Sequence, residues 1–290
     1  MLAIPISEGL EPIAKKRRLR KLSRLNFRLF CFHLVLLWLL GAAVFAPTSN
    51  AADADSTNEP LPHIDFAVRA KRIFLAARTR YHSETNNPEA AWQFARACFD
   101  LGEFATSDSD REDVAKTGIA VAKRLIAQHP ESAEAHYYLA MNLGQLARTK
   151  TLGALPLVDQ MEVEFSAALK RNQKLDHAGP DRNLGMLYLE APSFGSIGSR
   201  SKARQHLRRA VEIAPDYPEN RLILAEAYSR WNDETLAARE FRILADNWES
   251  AKKTYAGEEW ASSWLDWNKR FQKLKGKLGE ASKQLETPRH

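Results

Sequence analysis

Cysteine is almost missing from this chain of 290 residues. Of the two present, Cys31 sits inside an apolar run and Cys98 stands alone in the remainder, so once that run is removed no intrachain disulfide can form. Glycine and proline, at 13 each, are too few for a collagen-like or low-complexity chain. Alternating Val/Ile/Thr runs are lacking, which speaks against strands. Metal-ligand spacing is lacking as well: His63, His82, His129, His136, His177 and His206 form no close zinc-spaced pair. There is no glycine-rich phosphate loop and no serine nucleophile elbow. Glu162 and Glu164 are two apart, so on a helix they point to different sides and cannot act as one carboxylate pair. Cys98 falls at a packing position and reads as an inert thiol. The expectation is a chain that is not an enzyme, with no cofactor and no metal.

A uniform charge of one sign is missing too, despite a formal net charge of +6. Lys15, Lys16, Arg17, Arg18, Arg20, Lys21, Arg24 and Arg28 face only Glu8 and Glu11. This segment carries the whole excess, and the remainder holds 34 basic and 34 acidic residues out of totals of 42 and 36. A neutral body gives no global field to draw in a phosphate backbone, so nucleic acid is not an expected partner. The basic segment precedes the apolar run Leu29 to Ala46 and the small residues up to Ala51. Basic, apolar and small-residue regions in that order make a secretory signal, with cleavage expected after Ala51. The run is also just long enough to span a bilayer as an uncleaved anchor, the one circumstance in which membrane contact is expected. Both readings export the body to a periplasmic or other extracytoplasmic space.

What the chain does have is helical periodicity, and it repeats. In Asn220 to Trp248, Leu224, Ala225 and Tyr228 on one helix precede Ala237, Phe241 and Leu244 on a second, with a turn at Asn232-Asp233. A large residue, a small one, an aromatic, then Ala and two larger contacts is the tetratricopeptide order. Leu184, Gly185 and Tyr188 precede Ala203, Leu207 and Ala210 in the same way. So do Leu139, Ala140 and Leu143 before Met161, Phe165 and Ala168, and Phe94, Ala95 and Cys98 before Gly118, Ala122 and Leu125. Ala70, Phe74 and Ala77 read as the second helix of a half repeat. The fold class is therefore all-α: a solenoid of antiparallel helix hairpins. The expected organisation is a leader over 1–51, a linker over 52–62, the repeat array over 63–250, a capping helix over 251–282 and a flexible tail over 283–290. The cap is read from Trp260, Trp264, Trp267, Phe271, Leu274 and Leu278, spaced four and three apart on one helical face. Three inter-helix turns read as enlarged: Glu103 to Asp110, Arg148 to Val158, and Pro192 to Ser199.

The segments YYLAMNLGQLARTKTLGALPL and AGPDRNLGMLYLEAPSFGSIGSRSKARQHLRRAVEIAPDYPENRLILAEAY, with the Trp-rich end, resemble exported bacterial tetratricopeptide proteins with enlarged turns. They are similar to the T component of TRAP transporters and, more distantly, to regulators of microtubule dynamics. The first likeness implies a periplasmic repeat protein associated with a transporter's substrate-binding component. The chain lacks the lipoprotein signal of that pattern, and no ligand motif transfers residue by residue.

In stacked hairpins the first helices line the concave side. Counting from the packing residues places Trp92, Arg96, Phe99, Tyr137, Met141, Gln145, Arg182, Met186, Glu226 and Arg230 there. Aromatic and Met side chains offer apolar contact area, and Arg offers paired recognition of carboxylates. Trp92 and Phe99 would equally serve as packing beneath an enlarged turn. The expected function is a scaffold that binds a protein or peptide partner on this face. The alternative is a small-ligand carrier for an uptake transporter, its groove closed by the enlarged turns.

Overall fold

A computed structural model describes residues 65–150 and 153–286, with side chains to 279. The expected leader and linker lie outside the described residues, as does the end of the expected tail. Ten α-helices form a row of antiparallel hairpins among the described residues: α1 (Phe66–Ser83), α2 (Pro88–Glu103), α3 (Asp108–Gln128), α4 (Ala133–Arg148), α5 (Leu155–Arg171), α6 (Leu175–Glu190), α7 (Arg200–Ile213), α8 (Pro218–Arg230), α9 (Glu234–Thr254) and, after a 3-10 turn at Glu258–Trp260, α10 (Ala261–Glu286). The architecture is an all-α, tetratricopeptide-like solenoid.

Local chemistry punctuates the row. Asp65, Asn87, Ser107, Ser132, Ser199 and Asp233 cap α1, α2, α3, α4, α7 and α9 with side-chain oxygens that accept backbone N–H groups of the first turn. Pro88 and Pro218 occupy the first helical positions of α2 and α8, where no N–H is needed. Between caps the repeated small residues let helices close up. Ala95, Ala122, Ala140, Ala168, Ala203, Ala225 and Ala237 are fully buried. A Cβ on Gly118 would come within 2.3 Å of the Asn142 side chain, and one on Gly185 within 2.6 Å of Leu207. The large members of the pattern fill the remaining space. Burying Phe165 or Leu224 contributes about 1.5–3 kcal/mol each.

Two hydrophobic clusters result. One runs from Ala91 to Ala203 and the other from Leu207 to Leu278, so they meet on α7. The second includes the cap, where Trp267, Phe271, Leu274 and Leu278 are buried and Phe271 stacks on Trp248 at 4.2 Å between ring centroids. The cap begins later than the pattern suggested. α9 continues to Thr254, and Trp260 belongs to the 3-10 turn rather than the helix.

The turns also differ from expectation. The first is only Phe104 to Ser107, because Ser107 caps α3 and the following Asp108 and Asp110 suit a helix N-terminus. Acidic residues that read as loop are the first turn of a helix. The α4–α5 turn spans 149–154 and the α6–α7 turn spans 191–199, so the enlargement is real at the third.

Candidate concave site

The first helix of each hairpin and the cap form an inner row, α2, α4, α6, α8 and α10, stitched by buried polar contacts. Asn142 on α4 donates to the Ala95 carbonyl of α2 at 2.9 Å, and Gln145 donates to Glu103. Arg148 adds a 2.8 Å ion pair to Glu103. Between α4 and α6, the Tyr137 hydroxyl donates to Asp176 at 2.6 Å and accepts from Asn183 at 2.9 Å. Arg182 on α6 donates to Asp176 at 2.7 Å and to Asn220 of α8 at 3.1 Å. Arg270 of α10 makes two bonds to Glu226 of α8, at 3.0 and 2.7 Å, and a third to Asp266. Burial opposes the charge on Arg182, but Asp176, Tyr137 and Glu219 more than offset it, so the guanidinium is held charged. Arg270 is held the same way against burial by Glu226, Asp266 and Glu219.

This row contains a backbone feature that the sequence did not announce. Asp176, His177 and Ala178 have φ of 48°, 54° and 65°, a left-handed turn of three non-glycine residues at the start of α6. Each such residue costs roughly 1–2 kcal/mol. The neighbours hold it. Arg182 donates to the carbonyls of Asp176 and His177, Asn220 donates to the His177 carbonyl, and the His177 ring stacks on Tyr217 at 4.4 Å. Gly179 must lack a side chain, because a Cβ there would meet the Tyr137 hydroxyl at 2.5 Å. The only hint in the sequence was Gly179-Pro180 within a helical stretch.

The ten side chains placed on the inner face by counting divide into two groups. Tyr137, Gln145 and Arg182 are 0%, 1% and 5% exposed and are bonded within the array, which corrects the expectation that they present free surface. The cause is the close approach of inner helices, which buries long polar side chains against one another. Glu226 is half-buried and held by Arg270, and Arg230 is exposed and paired with Glu190. Trp92, Phe99, Met141 and Met186 are half-buried, and Trp92 lies parallel to Tyr138 with centroids 5.9 Å apart. Arg96 has a side chain 55% exposed and lies 3.6 Å from Asp100.

Counting missed Asp100. Its carboxyl is pushed up to about 6, first by burial and then by the charges of Asp176 and Glu103, with Arg96 and Arg69 opposing. Its side chain is nevertheless 40% exposed. Water reaches part of this carboxyl while protein surrounds the rest, and such contact with water limits how far the shift can go. The same neighbourhood receives α1 and the 3-10 turn that leads into α10. Arg69 of α1 lies 3.3 Å and Arg72 lies 3.8 Å from Glu258 in the 3-10 turn, and Trp260 beside it packs edge-on to His177. Cys98, by contrast, is fully buried and its thiol is raised to about 12 by burial, so it stays protonated and unreactive. His136 is occupied by Glu164 and the Pro130 carbonyl. Among the described residues no group of His, Cys, Asp and Glu is arranged to hold a metal, and no helix is long and apolar enough to cross a membrane.

Comparison with known proteins agrees with the architecture. A family model described as regulator of microtubule dynamics protein 1-3 matches residues 66–154, under a third of the chain. Among solved structures the chain is similar to TTC0263, a thermophilic TPR protein of Thermus thermophilus, with 20% identity, a TM-score of 0.50, and coverage of 71% of this chain and 91% of that one. A weaker likeness is to MamA, residues 41 to the end, from Desulfovibrio magneticus, with 18% identity, a TM-score of 0.40, and coverage of 64% of this chain and 97% of that one. No curated protein matches the chain. The first solved structure supports the fold, and the family match supports a likeness confined to α1 through the α4–α5 turn.

Proposed function

We propose that this chain is a non-catalytic, exported scaffold whose concave face binds an extended segment of a protein partner. The observation that carries this is the contrast along the inner row. Polar side chains that stitch the helices are buried and paired, whereas Trp92, Arg96, Phe99, Asp100, Met141 and Met186 keep accessible surface. Aromatic, Met and Arg side chains on a rigid support are what a peptide-binding face needs. The exposed Arg96–Asp100 pair gives the groove a polar floor, which favours a peptide over the small apolar ligand of a carrier. Export rests on the basic and apolar leader. The partner class implied by the sequence resemblance is a transporter's substrate-binding component.

The test is site-specific photo-crosslinking in the source cell envelope. A crosslinker at Trp92 or Met141 is expected to capture one defined protein through a short peptide. The same group at Ala238, exposed on α9, is expected to capture none of it. Equal capture from both positions would remove the concave face as the site.

A further inference from the structure

α7 has two charged sides, and only one is satisfied. Lys202, His206 and Arg209 face back along the array and pair with Glu162 and Asp181. Arg200, Arg204 and Arg208, spaced four apart on the opposite side, have no carboxylate partner among the described residues. Two of them converge on one indole: the guanidinium of Arg200 lies 5.1 Å and that of Arg204 lies 5.5 Å from the Trp231 ring centroid. Arg204 also sits 5.9 Å from Tyr228, and its Nε is buried without a hydrogen-bond partner. Glu190 is engaged by Arg230, Glu240 by Arg221, and Asp233 caps α9, while Glu212, one turn beyond Arg208, forms no ion pair with it. The turn leading into α7 carries Phe194, 69% exposed.

Like-charged guanidinia held together over one ring repel, and a buried donor left open costs free energy. The repulsion is relieved by an anion at the exposed ends of the guanidinia. We propose that Arg200, Arg204, Arg208 and Trp231 form a second docking surface, outside the concave face, for an acidic protein segment in extended conformation. The spacing selects the shape of the ligand. Four residues of helix advance about 6 Å, so the three arginines span about 12 Å. Two residues of an extended chain advance about 6.6–6.8 Å, so carboxylates at alternate positions meet successive guanidinia. Each guanidinium presents a planar fork to a carboxylate, and the aromatic faces hold those of Arg200 and Arg204 in place. A nucleic-acid strand is the less favoured occupant, because the body outside the basic leader has no net charge to gather a polyanion.

The probe is a labelled peptide with glutamate at three alternating positions, titrated by fluorescence anisotropy into the purified exported chain, which lacks the basic leader. Saturable binding is expected, weakened about tenfold or more in Arg200→Glu/Arg208→Glu and retained in Arg96→Ala. Both altered arginines are exposed, so circular dichroism should be unchanged. Four results would overturn the proposal. These are equal binding of the glutamine version of the peptide, undiminished binding by the α7 variant, loss of binding in Arg96→Ala instead, and tighter binding of oligothymidylate than of the peptide.

Discussion

Arg182 and Arg96 stand on inner helices of the same row, and what surrounds each decides the effect of removing it. Arg182 is buried and bonded to Asp176, two backbone carbonyls and Asn220, so its loss leaves a charge and several acceptors unpaired. Arg182→Ala is expected to lower unfolding free energy by about 3–5 kcal/mol in denaturant titrations. Arg96→Ala, which loses one exposed pair, should cost no more than about 1 kcal/mol. The sequence offered the same residue type on the same expected face and no way to tell them apart. The difference comes from Asp176 and Asn220, which reach Arg182 through a left-handed turn and from the next hairpin. Asp100 yields a prediction with a sign. Its pKa is raised in the folded chain, so between the unfolded carboxylate range and about 6 the folded state binds more protons. Stability from this group therefore falls as pH rises through that window. Asp100→Asn should raise the melting temperature at neutral pH, and the gain should fade as pH drops toward ~4, the ordinary carboxylate range. A gain independent of pH would mean that the charge is not the cause.

At the scale of elements, helix existence and pairing were legible because the pattern of large, small and aromatic residues is itself the packing. Leu184, Gly185 and Tyr188 had to face Ala203 and Leu207 for the helices to close. The edges were less legible. Asp108 and Asp110 read as loop by composition and are helix by capping chemistry, and Trp260 left its helical stripe for a 3-10 turn. The start of α6 was illegible, because a non-glycine left-handed turn is set by partners beyond it in the chain: Arg182, Asn220 and Tyr217. Ala178 tests that account. Glycine in an ordinary helix interior costs about 0.5–1 kcal/mol relative to alanine. At Ala178 the relief of a left-handed Cβ offsets this. Ala178→Gly is expected to melt within a few degrees of the parent, while Ala227→Gly, buried inside α8, should melt clearly lower. Equal losses at both positions would show that the turn is not strained.

At the scale of the molecule, the contact of Arg69 and Arg72 with Glu258 joins α1 to the 3-10 turn that leads into α10. Glu258 is half exposed, so the contact contributes less than about 1 kcal/mol to stability. Its role is in shape. Glu258→Lys should leave the melting temperature almost unchanged yet speed amide hydrogen exchange along α1, with α8 unaffected; unchanged exchange in α1 would show that the contact does not hold α1 to that turn. The meeting of the two hydrophobic clusters on α7 has a different consequence, and it concerns what an observer of unfolding would see. Ala203 and Leu207, one turn apart, belong to different clusters, and in a row of hairpins each unit is held chiefly by its neighbours. Trp248, Trp260, Trp264 and Trp267 all lie on the far side of that boundary, Trp231 touches both clusters, and Trp92 belongs to the near one. Tryptophan emission is thus weighted toward the C-terminal half, while far-ultraviolet dichroism weighs every helix alike. If α7 is where the array parts, the two signals will trace separate denaturation curves from one sample, and their gap will measure how weakly the halves are coupled.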